Sequence, residues 1–433
     1  MCSAESDLLS GTSISSSSHE KVVVIGCGIV GAAIAYELSQ APHLQVTVLD
    51  RQRPATESTG AALGVLMGAI SQKKKGRAWA MREASLRRYA SLIPELEAKT
   101  GRSIPVNNDG IVLLQFDESC VEAAASEADK VTKKLEPWRD RWQPLIELRQ
   151  SQGWTLECWD EEQLRSRCPQ LGDQLGDRPI TGAIYSPQDL QVNPVALTEA
   201  LVAAAKLNGV QFDFAAPVTS LVSHQVEDAG DRPPNTVQAT PKASEPLLDG
   251  TLKKARYSVH TPEDQYEADW VIVSAGLGSA DITQSADHPL DVRPVLGQAV
   301  RLHLPEQMGK LEFQPVISGD DIHIVPLGEG DYWVGATVEF PDDAGEVLAD
   351  EALLQHVLTK AIALCPELSE ATITQHWSGK RPRPWNQAAP VIKPLEGYSQ
   401  VWLATGHYRN GVLLAPATAQ QIRSVVENEL SRA

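Results

Sequence analysis

The chain has 433 residues, 42% of them hydrophobic and 22% charged, with a formal net charge of −18. Its length predicts two or three domains and a sizeable core. Its acidity excludes a nucleic-acid partner, whose phosphates need basic neutralisation. No run reaches the ~18 continuous apolar residues of a membrane span, and Glu5 and Asp7 precede any basic residue, unlike a secretory leader. Six cysteines, at 2, 27, 120, 158, 168 and 365, show no C-x-x-C spacing. The sequence therefore predicts no disulfide framework, no metal site and a cytoplasmic location.

Residues 1–20 are polar and serine-rich and read as a disordered tail. Val22–Ile25 is a continuous apolar run, fit for a strand buried on both faces. Ile29–Ser39 reads as a helix and Gln45–Leu49 as a second strand, giving a βαβ unit. Residues 76–100 read as an amphipathic helix with Trp79, Leu86, Tyr89 and Leu96 inside and Arg77, Arg82, Arg87 and Arg88 on a solvated face. A strand at Gly110–Phe116 and a helix at Glu118–Leu135 follow, then a helix at Val195–Leu207 and a strand at Val210–Phe214. The stretch 224–255 is rich in Pro, Asp, Gly and Ser and reads as a flexible hairpin insertion. Tyr266–Ser274 reads as one strand and residues 295–340 as alternating strands. Leu353–Cys365 is helical, Val401–Ala404 a strand, and a closing helix begins at Pro416 and runs to Leu430. The run Lys73–Lys75 reads as a solvated loop.

Gly26-Cys27-Gly28-Ile29-Val30-Gly31 fits G-x-G-x-x-G between a strand and a helix. Gly26 allows the tight turn, Gly28 the approach of a pyrophosphate, and Gly31 close helix–strand packing. The helix N-terminus offers N–H groups and positive potential to phosphates. Asp50 ends the second strand about 20 residues on, where a carboxylate accepts from a ribose diol. Strand, glycines, helix and acid together predict a dinucleotide site.

Further segments resemble the glycine oxidase/D-amino-acid oxidase family of FAD-dependent oxidoreductases, most closely its glycine oxidases. They are Ser58–Val65 (STGAALGV), Asp189–Pro194 (DLQVNP), Val271–Gly276 (VIVSAG), Val292–Gln298 (VRPVLGQ), Ile322–Thr337, Gly379–Pro382 (GKRP) and Gly406–Thr418 (GHYRNGVLLAPAT). The resemblance covers most of residues 21–430. It implies an α/β chain, α+β overall, with a Rossmann-like FAD-binding domain and a β-rich substrate-binding domain. The first comprises 21–105, 183–222, 266–292 and 376–433, the second 106–182 and 293–375, with 223–265 as the insertion. It implies FAD held non-covalently by Gly26, Gly28, Ile29, Val30, Gly31, Asp50, Arg51, Ser58, Thr59, Leu63, Gly64, Val65, Val218, Gly276 and the turn His407, Tyr408, Arg409, Asn410, Gly411, Val412 and Leu413.

The resemblance further implies oxidative deamination of glycine, sarcosine or a small D-amino acid. Hydride passes to flavin N5, giving keto acid, ammonia and hydrogen peroxide, with oxygen as acceptor. It carries an association with thiamine biosynthesis. Arg381, and then Arg409, would hold the substrate carboxylate, as a planar and always charged fork suits it. His323 stands where the family pattern has a tyrosine and, with an ordinary imidazole pKa of roughly 6.5, would titrate in the working range. Val338 would narrow the pocket, and Lys380 is a second departure from the pattern. A dehydrogenase feeding a quinone and a non-catalytic flavin-binding assembly protein are the alternatives; homo-oligomerisation is left open.

Overall fold

A computed structural model describes residues 19–117, 137–224 and 256–431. The helix expected at Glu118–Leu135 lies outside the described residues, as does nearly all of the N-terminal tail.

The apolar run Val22–Ile25 lies inside the strand Glu20–Ile25, near the middle of a six-stranded sheet. The order across the sheet is Gln211–Phe214, Leu44–Asp50, Glu20–Ile25, Trp270–Val273, Val401–Thr405 and Val391–Pro394. The first five strands are parallel and the last is antiparallel. Ile25 pairs with Leu49 and Val273, and Val273 with Leu403. The carboxyl ends of these strands are therefore level, and the turns after them meet at one edge, where open parallel sheets bind ligands.

Among the described residues, helices cover one face. Ile29–Leu38 packs against both Pro194–Leu207 and the closing helix Gly411–Leu430, which also packs on Arg77–Thr100. Ile29–Leu38 is buried on nearly every side, which explains its apolar composition all round. The opposite face carries an antiparallel sheet of Ser220–His224, Arg256–His260 and Gln265–Ala268, with Tyr257 and Val259 packed under Val23, Ile25 and Val271. The ends of the expected insertion are thus paired strands, while residues 225–255 lie outside the described residues.

Three expectations need correction. Tyr266–Ser274 is two strands in two sheets, divided at Asp269, whose backbone N–H donates to Lys21 O and whose carboxylate accepts from Lys21 N. The closing helix starts at Gly411, with Pro416 inside it. The basic residues of Arg77–Thr100 do not share a solvated face. Arg77 and Arg87 are exposed, but Arg82 is buried, and Arg88 is tucked between Glu37 at 2.9 Å and Glu95 at 2.7 Å.

The second body is a nine-stranded sheet with the helix Glu351–Leu364 packed on it. Its longest strands, Val292–His303 and Thr372–Pro384, run antiparallel at one edge. They return toward the nucleotide-binding edge, with Val295 opposite Arg381 and Gly297 opposite Gly379. Among the described residues no helix is long and apolar enough to cross a membrane.

Candidate functional site

A cleft of about 370 Å³ runs along the carboxyl ends of the parallel strands and under the nine-stranded sheet. It is lined by Gly26, Gly28, Ile29, Val30, Asp50, Arg51, Ser58, Thr59, Leu63, Gly64, Val65, Val218 and Gly276, and at the other end by His323, Arg381, His407, Tyr408, Arg409, Gly411, Val412 and Leu413. Residues hundreds of positions apart thus form one wall. Gly31, Asn410 and Val338 are not part of the lining. Arg53, Asp281 and Thr405 also line the cleft and lie outside every segment singled out in the sequence; Ala61, Gly297 and Ala336 line it from inside such segments, though none is named there as a site residue.

The nucleotide end is built by close approach. Gly26 has φ +100°, and a Cβ on Gly31 would lie 1.9 Å from Gly26 O. Gly31 therefore acts behind the cleft, by letting the helix Ile29–Leu38 touch the turn. The Thr59 hydroxyl accepts from Ile29 N at 3.0 Å and fastens the Ser58–Val65 loop to that helix N-terminus. Asp50 accepts from Cys27 N at 2.5 Å and from Gln52 N at 2.8 Å, one bond on each oxygen. Each carboxylate oxygen keeps a lone pair for a ribose hydroxyl. Burial raises the Asp50 pKa, while the two N–H donors oppose that shift. Arg51 is engaged at the surface by Glu57 at 2.9 Å.

These features fit a flavin dinucleotide on the structure's own terms. A helix N-terminus and an acid lie at one end of an elongated cleft. At the other end the N-terminal turn of the closing helix, which no side chain caps, lines the wall. Asp50 and Val218 would hold the adenosine half, Gly28–Val30 with Ser58 and Thr59 the pyrophosphate, and His407–Leu413 with Leu63–Val65 the flavin half. His407 anchors its turn from behind. The ring is 4% exposed, hydrogen-bonded to Thr418 Oγ1 at 3.0 Å, and burial, with a smaller contribution from Arg77, lowers its pKa to about 3.

At the flavin end, Arg381 folds back over Gly297: a Cβ there would lie 2.1 Å from Nη2. Nη1 donates to Leu296 O at 3.1 Å and Thr337 O at 3.0 Å. Among the described residues no carboxylate forms an ion pair with it. Burial, then Arg409, lowers its pKa. The platform beneath is held by buried Glu339. Its carboxylate accepts from Thr337 Oγ1, from Gln298 Nε2 at 3.0 Å and from Asp350 N at 2.8 Å. Arg409 is half-exposed and paired with Asp321 at 3.3 Å. Lys380 is exposed; its carbonyl accepts from Ser58 Oγ at 2.7 Å.

His323 contacts Ser318 Oγ through Nδ1 at 2.9 Å. Burial first, then Arg409 and Arg381, lower its pKa to about 4. This departs from the expectation of an imidazole titrating near its ordinary value: burial first, with the two guanidinium groups adding and Asp321 opposing, favours the neutral ring.

The model of the DAO family, described as FAD dependent oxidoreductase, matches residues 21–424. The bifunctional protein ThiO/ThiG of Trichormus variabilis is 28% identical over 418 residues, which are 95% of this chain and 53% of that protein. The glycine oxidase of Pseudomonas putida is 28% identical over 403 residues, 93% of each chain. This chain spans about half the length of the ThiO/ThiG relatives. The crystal structure of glycine oxidase from Geobacillus kaustophilus superposes with a TM-score of 0.73 at 22% identity, covering 94% of this chain and 95% of that one, and shows the shared fold.

Proposed function

We propose that this chain, which belongs to the family of FAD-dependent oxidoreductases, oxidises the C–N bond of a small amino acid such as glycine, sarcosine or a small D-amino acid. The observation that carries this reading is Arg381. A half-buried guanidinium with no carboxylate partner among the described residues, held on two carbonyls in the wall of the cofactor cleft, is a receptor for an anion. The likeness to glycine oxidases supports the choice of a small amino acid.

Bound FAD would supply the hydride acceptor and, through reoxidation by oxygen, the peroxide; water then hydrolyses the oxidised substrate, an imine, to the keto acid and ammonia, or methylamine in the case of sarcosine. The chain's own residues position and tune. Arg381 fixes the carboxylate and thereby the approach of Cα to the flavin end of the cleft. Arg409 adds a second positive charge at the mouth. Both cations disfavour an ammonium nearby and favour the neutral amine whose lone pair is needed. Neutral His323, oriented by Ser318, offers Nε2 as one hydrogen-bonding atom to the amine or a water. With a pKa of about 4 it is too weak a base to deprotonate an ammonium fully.

The test is release of peroxide and of ammonia (methylamine from sarcosine) under air, with glycine, sarcosine and a panel of D- and L-amino acids. Release with at least one small amino acid, lost in Arg381→Met while FAD stays bound, is the expected result. Removal of one partner of a desolvated charge pair costs roughly 2–5 kcal/mol of binding. Equal KM in Arg381→Met and wild type would place the carboxylate elsewhere.

A further inference from the structure

Arg82 belongs to the helix Arg77–Thr100, none of whose residues lines the cleft. It forms one face with Ser85 and Tyr89, and all three reach the closing helix. Tyr89 OH donates to Val412 O at 2.5 Å. That carbonyl lies four residues before Pro416, which has no N–H to give it. Ser85 Oγ accepts from Ala417 N at 3.3 Å. These two contacts repair the ladder around the proline and fix the first turns of the helix.

Arg82 does something that repair does not require. It is 8% exposed. Nη1 donates to Ala78 O at 2.9 Å, Nη2 to Asn410 Oδ1 at 3.3 Å, and buried Nε has no partner. No carboxylate of the described residues forms an ion pair with it, and burial works against its charge. Asn410 is the N-cap residue of the closing helix, whose first turn, Gly411–Leu413, faces the cleft. A buried cation is thus aimed at the positive end of a helix dipole. Within the protein alone that pairing is repulsive, and an isolated buried charge is costly. A negative charge on the other side of the turn, in the cleft, would relieve both.

We propose that Arg82 is a positioning residue for the flavin half of the cofactor, setting a positive field behind the closing-helix N-terminus that favours the negatively charged reduced flavin. It does so without entering the cleft, through Asn410 and the helix end. The proposal rests on the cofactor placement given above and not on the identity of the substrate.

The experiment is the midpoint potential of FAD-loaded wild type, Arg82→Met and Arg82→Lys, together with sulfite affinity, since sulfite adds to the flavin and leaves it anionic. Neither readout needs an amino acid, so failure of the proposed substrate leaves the test intact. Arg82→Met should weaken sulfite binding about tenfold, the worth of one screened unit charge, and lower the potential by the equivalent of about 30 mV for a two-electron couple. Arg82→Lys should restore most of both. If Arg82→Met loses FAD, Arg82→Lys is compared with Arg82→Gln: a lysine variant close to wild type supports the charge, and equal losses in the two overturn it. An unchanged potential in Arg82→Met with a lowered melting temperature would also overturn the proposal, leaving Arg82 a packing residue.

Discussion

Gly297→Ala separates the substrate clamp from the fold. Gly297 lies on the strand Val292–His303, and a Cβ there would lie 2.1 Å from Arg381 Nη2 and 2.4 Å from Cζ and Nη1. All three atoms are the end of a flexible side chain. The backbone can therefore stay in place while the guanidinium leaves, and folding and FAD content should be close to wild type. The displaced fork gives up its bonds to Leu296 O and Thr337 O. Hydrogen bonds from charged groups are worth about 1.5–3 kcal/mol each. Part of that is recovered in solvent, so a loss of about 2–4 kcal/mol in substrate binding is expected, an increase in KM of about 30- to 700-fold. The assay is steady-state oxidation across substrate concentration, with the flavin spectrum as control for cofactor content. A KM within twofold of wild type at full FAD content would refute the placement of the carboxylate under Arg381.

Gly31→Ala should lose FAD and much of its stability, because the added Cβ would lie 1.9 Å from the backbone oxygen of Gly26, which cannot swing away; flavin retained through gel filtration would contradict this. His407 is buried neutral with a pKa of about 3, below its unfolded value of roughly 6.5. Its contribution to stability is complete above the unfolded value and is lost as pH falls through that value toward about 3. The melting temperature should therefore fall between neutral pH and pH 4 less steeply in His407→Gln than in wild type; parallel curves would contradict the neutral buried ring. His323→Phe should change KM and substrate ranking but leave the pH profile of kcat/KM between pH 5.5 and 8 unaltered in shape. A lost inflection near roughly 6.5 would show that the ring titrates normally.

The nucleotide half of the molecule was legible because its signals are local. A continuous apolar strand, a glycine turn and an acid at the next strand end fall within one βαβ unit, and strand register then fixes where they meet. What escaped depends on contacts between segments. The helix Gly411–Leu430 was placed five residues late because proline usually opens a helix; Tyr89, more than three hundred residues away, fills the acceptor that Pro416 leaves. Arg82 read as solvated because a helical pattern does not show that a second helix covers the polar-looking face. Asp269 divides two strands through its pairing with Lys21, which alternation of apolar residues does not reveal. Gly297 lies in a resembling segment that does not say what the glycine is for, and Glu339 lies in none. Their part in the site comes from the side chain folded over the first and the three donors gathered by the second. His323 lines the cleft and lies in a resembling segment, but the lowering of its pKa comes first from burial and then from Arg409 and Arg381, which sequence separates from it by 86 and 58 positions.

The most direct test of the account is an anaerobic titration of the FAD-loaded protein with glycine, sarcosine and a panel of D- and L-amino acids, following the flavin absorbance. The account predicts bleaching by at least one small amino acid, at a rate that saturates with a binding constant that Arg381→Met weakens by at least tenfold. A flavin that is reduced by dithionite but by no amino acid in the panel would contradict it.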